Sequence, residues 1–336
     1  MKELPRRLAY FAYYLRQLDR ARLARFMDHL REAKGWSRPG QWARILGDSL
    51  RYNISILEYY QFRFFDLPAE EKARWAGTGT MYEFQRRANP PGTREILEDK
   101  CRFHAAYRQF FRHAVCTRKE LEAQPELAGQ VLATHERLVF KPAKGNCGVG
   151  IAFVEASTLT AEDLLPFMRR NGYDLVEEGI RQHPDLMRLS PAGVNTVRIF
   201  TALDAEGGCH ILGCRLRISV NSEVDNMAAG NLAAPVDEDT GRVTGPGVYS
   251  DITRAPEAIH PVTGTPIEGF QIPFWPETLE LARAASLLHR QNRSIGWDIV
   301  ITPDGPGLIE GNHDWCKLVW QLPVGRGLKP ALEAYA

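Results

Sequence analysis

A glycine-rich segment near the middle of the chain constrains the fold most. Residues 138–141 and 151–155 are short apolar runs typical of strands, and three glycines lie between them in residues 145–150. Clustered glycines let backbone N–H groups approach phosphate oxygens, because no Cβ atom stands in the way. Lys141, just before the turn, supplies a positive charge. The pattern predicts a strand–turn–strand flap over a nucleotide phosphate, with a plain flexible hairpin as the alternative.

Three known nucleotide-binding loops do not match this segment. No Gly-Lys-Ser/Thr sequence ends it, so it is not a P-loop. Its glycines follow a G-x-x-G-x-G spacing and a strand comes next, whereas a dinucleotide fingerprint is followed by a helix. No H-R-D or D-F-G sequence lies downstream, which excludes a protein kinase.

A second informative segment is the acidic hairpin predicted over residues 296–311. If its turn centres on Asp304, Asp298 lies opposite Glu310, and Asn312 shares the face of Glu310. Two carboxylates directly across a ladder repel each other, and a divalent cation relieves that repulsion. Oxygen ligands of this kind suit Mg²⁺. The alternative is an exposed edge with chance acids, and a slip of one residue would separate the pair.

The basic residues of two predicted central strands form a third group. Arg198 lies in the strand predicted over 196–203. In the strand predicted over 209–220, regular alternation places Arg215 and Arg217 on one face and Leu212 on the other. Arginines on a central strand cost desolvation unless they meet anions, such as a γ-phosphate or an acyl phosphate. A solvated sheet face with salt bridges is the alternative.

Charge and periodicity divide the chain of 336 residues into parts. The 42 Lys and Arg against 41 Asp and Glu exclude a nucleic-acid binder that works by bulk phosphate neutralisation. Residues 1–98 nevertheless hold 18 basic against 12 acidic residues, and the remainder holds 24 against 29. The N-terminal part has helical periodicity, including a helix predicted from Leu4 to about Lys34. From Asp99 onward strands and helices alternate, so a helical N-terminal domain is expected over 1–98.

The predicted location is the cytoplasm. No run of about 18 apolar residues is present, and the six cysteines form no C-x-x-C pair, which is typical of reduced thiols. The first predicted helix is rich in arginine and aromatic residues. It could contact an anionic membrane surface peripherally, or simply pack on its own domain with its arginines in solvent.

The order of these features resembles the ATP-grasp superfamily, over roughly residues 99–325. A lysine-bearing glycine flap is followed by a strand-borne Asp and then by Glu-x-Asn. More closely, residues 177–180, 194–199 and 225–226 resemble the branch called sugar-transfer-associated ATP-grasp, as does Glu58-Tyr59-Tyr60 in the helical part. The chain departs from that branch after Gly230, where Asn231 replaces a second glycine.

The resemblance implies an α/β (α+β) fold in which two α+β subdomains clasp ATP. Residues 99–178 would form the small subdomain with the flap, and 179–336 the large subdomain with the metal site. The resemblance implies that ATP is held by Lys100, Lys141, Gly145, Asn146, Gly148, Gly150, Glu177, Glu178 and Ile180. It further implies two Mg²⁺ ions on Asp298, Glu310 and Asn312, and catalytic roles for Arg198 and Arg215.

The implied function is an ATP- and Mg²⁺-dependent carboxylate–amine ligase. Such an enzyme forms an acyl phosphate, which an amine attacks to release phosphate, and the branch name suggests surface-polysaccharide biosynthesis. The expected partners are a small-molecule carboxylate and an amine, and no nucleic acid. Two alternatives stay open: a kinase that phosphorylates a sugar or polyol hydroxyl, and a non-catalytic nucleotide-binding scaffold.

Overall fold

The computed structural model describes residues 3–145, 150–222 and 226–335. The predicted nucleotide contacts Asn146 and Gly148 lie outside the described residues, as does Asp225. No helix among the described residues is both long enough and apolar enough to cross a lipid bilayer.

The first hundred residues form helices. Asp19 divides the single helix predicted from Leu4 to Lys34 into two, because its carboxylate accepts a hydrogen bond from the Arg22 amide at 2.9 Å and so begins a new helix. The helices are α1 (Glu3–Arg16), α2 (Arg20–Lys34), α3 (Arg38–Tyr52), α4 (Ile56–Gln61), α5 (Ala69–Ala73), α6 (Thr78–Ala88) and α7 (Glu95–Glu98).

Two apolar clusters fix these helices. The first joins α2, α3 and α4, with Phe62 stacked on Trp75 at a ring distance of 4.4 Å. The second joins α6 to the C-terminal segment, where Trp315 packs against Phe84 and Phe200. The second cluster means that the N-terminal helices pack directly on the strand-containing part of the chain.

The next segment contains a four-stranded antiparallel sheet, here called the small sheet, with strand order β1-β4-β2-β3. Phe140 pairs with Ala152 across β2 and β3, which confirms that the two strands predicted on either side of the glycine turn pair with each other. The strands are β1 (Val115–Thr117), β2 (Arg137–Lys141), β3 (Ala152–Glu155) and β4 (Leu175–Glu178). The helices beside them are α8 (Lys100–Tyr107), α9 (Arg118–Ala123), α10 (Leu127–Thr134) and α11 (Ala161–Asn171).

The C-terminal part is built on a five-stranded antiparallel sheet, here called the large sheet, with strand order β7-β6-β5-β8-β9. One face carries the largest apolar core, which includes Val197, Ile199 and Trp297. The strands are β5 (Thr196–Leu203), β6 (Cys209–Ile218), β7 (Leu232–Val236), β8 (Ser294–Thr302) and β9 (Gly305–Asn312). The accompanying helices are α12 (Pro184–Leu189), α13 (Trp275–Leu288), α14 (Lys317–Gln321) and α15 (Pro330–Glu333).

The hairpin of β8 and β9 confirms that Asp298 lies opposite Glu310. The turn is shorter than predicted, because Thr302 pairs with Gly305 around two residues. That turn alone would place Asp298 opposite Ile309. Ile309 is left unpaired as a β-bulge, and this extra residue restores the predicted pairing.

A second bulge corrects the prediction for β6. Phe200 pairs with Gly213 but Thr201 pairs with Ile211, so Leu212 has no partner and the alternation breaks there. Leu212 therefore packs with the cluster around Trp315, and Ile211 packs with the main core. The alternation holds beyond the bulge, where Arg215 and Arg217 share one face as predicted.

Candidate functional site

A cavity of about 350 Å³ lies between the two sheets. It brings together most of the predicted nucleotide and metal residues, although they come from segments far apart in the chain. The predicted residues that line it are Lys100, Lys141, Gly145, Glu177, Glu178, Ile180, Asp298 and Glu310. Gly150, at φ 79°, ends the glycine turn in the left-handed conformation that suits glycine, but it is not among the described residues that line this cavity.

Lys100 lies at the start of α8, where Asp99 caps the helix. Its amide donates to the Ala143 carbonyl at 2.8 Å, and its ammonium donates to the Gly145 carbonyl at 2.6 Å. Burial lowers the pKa of Lys100, and the nearby Glu310 carboxylate partly opposes that shift. The lysine therefore ties the beginning of the glycine turn to the cavity.

Lys141 pairs with Glu177 inside the small sheet. Its ammonium lies 2.5 Å from the Glu177 carboxylate, and both side chains are almost completely buried. Burial alone would raise the pKa of Glu177, but Lys141 and His113 together outweigh it and lower the pKa to about 2. The His113 imidazole lies 3.4 Å from the same carboxylate. Glu177 thus stays ionised and fixes the direction of Lys141.

Glu178 uses its carboxylate to hold the edge of the same sheet. One oxygen accepts a hydrogen bond from the Ala114 amide at 3.0 Å. Both acids predicted at the adenine-binding linker are therefore engaged with the small sheet through their side chains. Together with Ile180, the two glutamates form the part of the cavity wall that connects the two sheets.

Asp298 on β8 is held by two arginines of the large sheet. Arg198 is its direct neighbour on β5 and donates from two nitrogens, one of them 2.6 Å from the carboxylate. Arg217 donates to the same carboxylate at 2.8 Å. Burial would raise the pKa of Asp298, but the two guanidinium groups outweigh it and hold the pKa well below its usual range. Asp298 is therefore ionised.

Glu310 faces Asp298 across the hairpin. Among the described residues, no arginine forms an ion pair with Glu310, whereas two arginines pair with Asp298. Burial and the charge of Asp298 raise its pKa. Asn312 donates its amide N–H to Glu310 at 3.1 Å, which leaves the amide carbonyl for another partner. A cation beside Glu310 would relieve the repulsion between the carboxylates.

The donors at this position fit Mg²⁺, which prefers carboxylate and carbonyl oxygens and shares phosphate oxygens. Within the described part of the chain, no group of three or more His, Cys, Asp or Glu residues could hold a metal. The candidate site accordingly consists of the two carboxylates and the Asn312 amide. A small cavity of about 40 Å³ places Asn312 and Glu310 next to Lys100, Lys141 and Glu177.

Arg215, predicted to be catalytic, is not brought into the cavity. Its guanidinium is buried and donates to the carbonyls of Trp320 and Cys214. Arg217, two residues along the same face, lines the cavity instead. The reason is that α14 presents a backbone oxygen above Arg215, whereas Arg217 lies beside Asp298.

Sequence reasoning also missed the apolar part of the cavity. Val139 and Phe153 come from the flap, and Ile151 and Met187 complete this side. A signal was present for Val139, because it lies two residues before Lys141 on the same strand and so shares its face. Apolar walls of this kind suit a planar base.

A model of the protein family described as sugar-transfer associated ATP-grasp matches residues 80–336. No curated protein matches the chain.

Solved structures show low sequence identity to the chain. A biotin carboxylase from Campylobacter jejuni is 12% identical, covering 69% of this chain and 47% of its own, with a TM-score of 0.42. A D-alanine-D-alanine ligase from Coxiella burnetii is 9% identical, covering 65% and 48%, with a TM-score of 0.37. A D-cycloserine synthetase is 13% identical, covering 83% and 82%, with a TM-score of 0.43. The chain spans about half the length of the first two proteins.

Proposed function

This chain belongs to the sugar-transfer-associated ATP-grasp family, and from that membership we propose that it is an ADP-forming ligase that joins a carboxylate to an amine. One observation carries the proposal. Lys100 and Lys141 face the carboxylate pair of Asp298 and Glu310 across a single cavity. Two cations opposite two acids suit the phosphates and metal ions of a bound nucleoside triphosphate.

The nucleotide has a natural orientation in this cavity. Its base fits the apolar part around Val139 and Phe153, and its phosphates fit between the two lysines. The terminal phosphate then lies toward Glu310. Asp298, Glu310 and Asn312 would hold two Mg²⁺ ions, which when bound neutralise the phosphate oxygens.

Two steps follow from this arrangement. In the first, a carboxylate oxygen of the acid substrate attacks the γ-phosphorus, the bond to the β-phosphate oxygen breaks, and ADP leaves. In the second, the amine nitrogen attacks the acyl carbon, phosphate leaves with the electron pair of the broken C–O bond, and the nitrogen loses a proton. Arg198 and Arg217 are placed to stabilise the phosphoryl group in transfer, because both lie at the carboxylate pair.

The substrates are proposed from the family description, which associates these proteins with sugar transfer. A sugar acid, or an amino acid joined to a sugar, fits a ligase in surface-polysaccharide biosynthesis. A kinase acting on a sugar hydroxyl would use the same nucleotide cavity, so the fate of the phosphate distinguishes the two.

The test follows ADP and inorganic phosphate separately in a screen of acids and amines with the purified protein. A ligase releases both in equal amounts only when acid and amine are present, and with acid alone hydroxylamine traps an acyl hydroxamate. A phosphorylated product without free phosphate would favour the kinase. If Glu310→Gln turned over ATP as fast as the wild-type protein, the catalytic proposal would be contradicted.

A further inference from the structure

A second cavity of about 240 Å³ adjoins the nucleotide cavity. The two share Arg217, Asn226 and Glu310, so they meet where the terminal phosphate is proposed to lie. The wall of the second cavity combines segments remote in sequence: Arg22 on α2, Ser250 in the loop after β7, and Cys316 just before α14. The helical N-terminal part of the chain thus contributes directly to this second cavity.

Arg22 is held over this cavity by its own helix. Asp19 caps the first turn of α2 through the Arg22 amide. One turn further on, Arg25 binds Asp251 at 2.9 Å and ties the helix to the loop that follows β7. The Arg22 side chain is 25% exposed, which leaves it within reach of a ligand.

The cations of the second cavity differ in what they bind. Arg198 and Arg217 both donate to Asp298. Arg22 lies 3.8 Å from the Asp19 carboxylate, and within the described part of the chain its buried Nε has no hydrogen-bond acceptor. A guanidinium offers five N–H donors in a planar fork that matches a carboxylate or a phosphate. Arg22 is therefore the cation of this cavity best able to bind an anion from solution.

We propose that Arg22 binds an anionic group of the acid substrate. That substrate is a small acid with two oxyanion groups: one carboxylate that is activated beside Glu310, and a second carboxylate or a phosphate that pairs with Arg22. The proposal rests on the proposed ligase function for the first group. It adds a substrate class and assigns a binding role to the helical N-terminal part.

Cys316 provides a reporter for occupancy, because its thiol is exposed and lines the same cavity. The full-length protein with MgADP is treated with iodoacetamide, and carboxamidomethylation of Cys316 is followed by peptide mass spectrometry. The probes are acetate with one oxyanion group, succinate with two carboxylates, and 3-phosphoglycerate with a carboxylate and a phosphate. Cys101, which is partly buried and does not line the cavity, serves as the internal control.

Succinate or 3-phosphoglycerate should slow the modification of Cys316 by about tenfold, and acetate should not. Arg22→Ala should abolish that protection, and Arg22→Lys should retain part of it. Arg31→Ala is the matched control, because Arg31 lies on the same helix, is half exposed and pairs only with Asp28 among the described residues. It should keep full protection. Which dianion protects decides between a carboxylate and a phosphate at Arg22.

Three results would overturn the proposal: protection that persists in Arg22→Ala, acetate that protects as well as the dianions, or no protection by either dianion. The readout requires no turnover, so it is separate from the ligase proposal. Absence of ADP formation in the wild-type protein with every acid refutes the ligase, whereas unchanged protection in Arg22→Ala refutes the role of Arg22.

Discussion

Glu177 on the small sheet and Glu310 on the large sheet line the same cavity but have opposite pKa shifts. Lys141 lies 2.5 Å from Glu177, and together with His113 it outweighs the effect of burial, so the pKa of Glu177 falls to about 2. Glu310 lies opposite the ionised Asp298, and burial together with that like charge raises its pKa. Among the described residues, the first carboxylate has an ion-pair partner and the second has none.

The difference separates a positioning role from a binding role. An ion pair satisfied within the fold mainly fixes geometry, and Glu177 fixes the direction of Lys141. A carboxylate with a raised pKa in a cavity is typical of a site that gains its counter-charge from a ligand. Arg198 and Arg217 both donate to Asp298, and no ion pair joins either of them to Glu310 among the described residues, which is consistent with the proposed binding of a cation there.

Asp298→Ala should cause the largest loss of stability. It removes the anion that Arg198 and Arg217 share, and both buried guanidinium groups then lose their ion pair with Asp298. Leaving a buried charge uncompensated costs about 3–5 kcal/mol. We expect the free energy of unfolding in urea to fall by about that amount. Asp304→Ala, at the exposed turn of the same hairpin, should change it by less than about 0.5 kcal/mol. Equal losses in the two variants would contradict the assignment.

Lys141→Met tests the pair on the small sheet and has the next largest effect. It leaves Glu177 buried without its nearest cation, and the free energy of unfolding should fall by about 3 kcal/mol. The double variant Lys141→Met with Glu177→Gln should recover most of that stability but none of the ATP turnover, because the cation proposed to bind phosphate is still missing.

Lys144→Met is the matched control for this prediction. Lys144 lies three residues further on in the same segment and is exposed. Its replacement should change the free energy of unfolding by less than about 0.5 kcal/mol. A double variant as unstable as Lys141→Met would mean that the lysine acts through packing and not through its charge.

Glu310→Gln has the smallest expected effect on stability, and its sign is opposite. In a chelating buffer it should stabilise the protein by up to about 1 kcal/mol, because it removes a like charge directly across the ladder from Asp298. The pKa of Glu310 is raised in the folded protein. The wild-type protein therefore loses stability relative to the variant as the pH rises from the usual glutamate range through the folded-state pKa. The gain should therefore be larger at pH 8 than at pH 5.

The effect of added Mg²⁺ on thermal stability also tests the role of Glu310. It should raise the thermal stability of the wild-type protein more than that of Glu310→Gln, since the ion binds the charged carboxylate. Glu177 supplies the contrast in sign. Its lowered pKa gives stability that is complete above about pH 4.5 and is lost as the pH falls toward about 2. If Mg²⁺ raised the thermal stability of the wild-type protein and of Glu310→Gln equally, Glu310 would not belong to the proposed metal site.

Much of the site was predictable from sequence because it is local. The glycine turn lies between two strands that pair directly, so Lys141 could be placed at its base. The pairing of Asp298 with Glu310 was also predicted, although the actual turn has a different centre and a bulge at Ile309 compensates. That agreement depended on two local departures that cancel, which the residue pattern did not reveal.

The choice between Arg215 and Arg217 shows where sequence reasoning ended. Both lie on the same face of β6, and alternation treats them alike. The fold places the Trp320 carbonyl over Arg215 and the Asp298 carboxylate beside Arg217. Since these partners lie 105 and 81 positions away in the chain, no local pattern could distinguish the two arginines.

Three features depend on neighbouring residues and could therefore be predicted from the sequence: the paired strands around the glycine turn, the alternation of the strands beyond the bulge, and the acidic hairpin. Family resemblance added Lys100. Tertiary structure alone decided which charges are neutralised within the protein, because that depends on side chains brought together from distant segments. It also placed Arg22 of the N-terminal helices at a cavity shared with Glu310. The effect of a carboxylate on its surroundings is set by distance and burial, and only the folded chain fixes these.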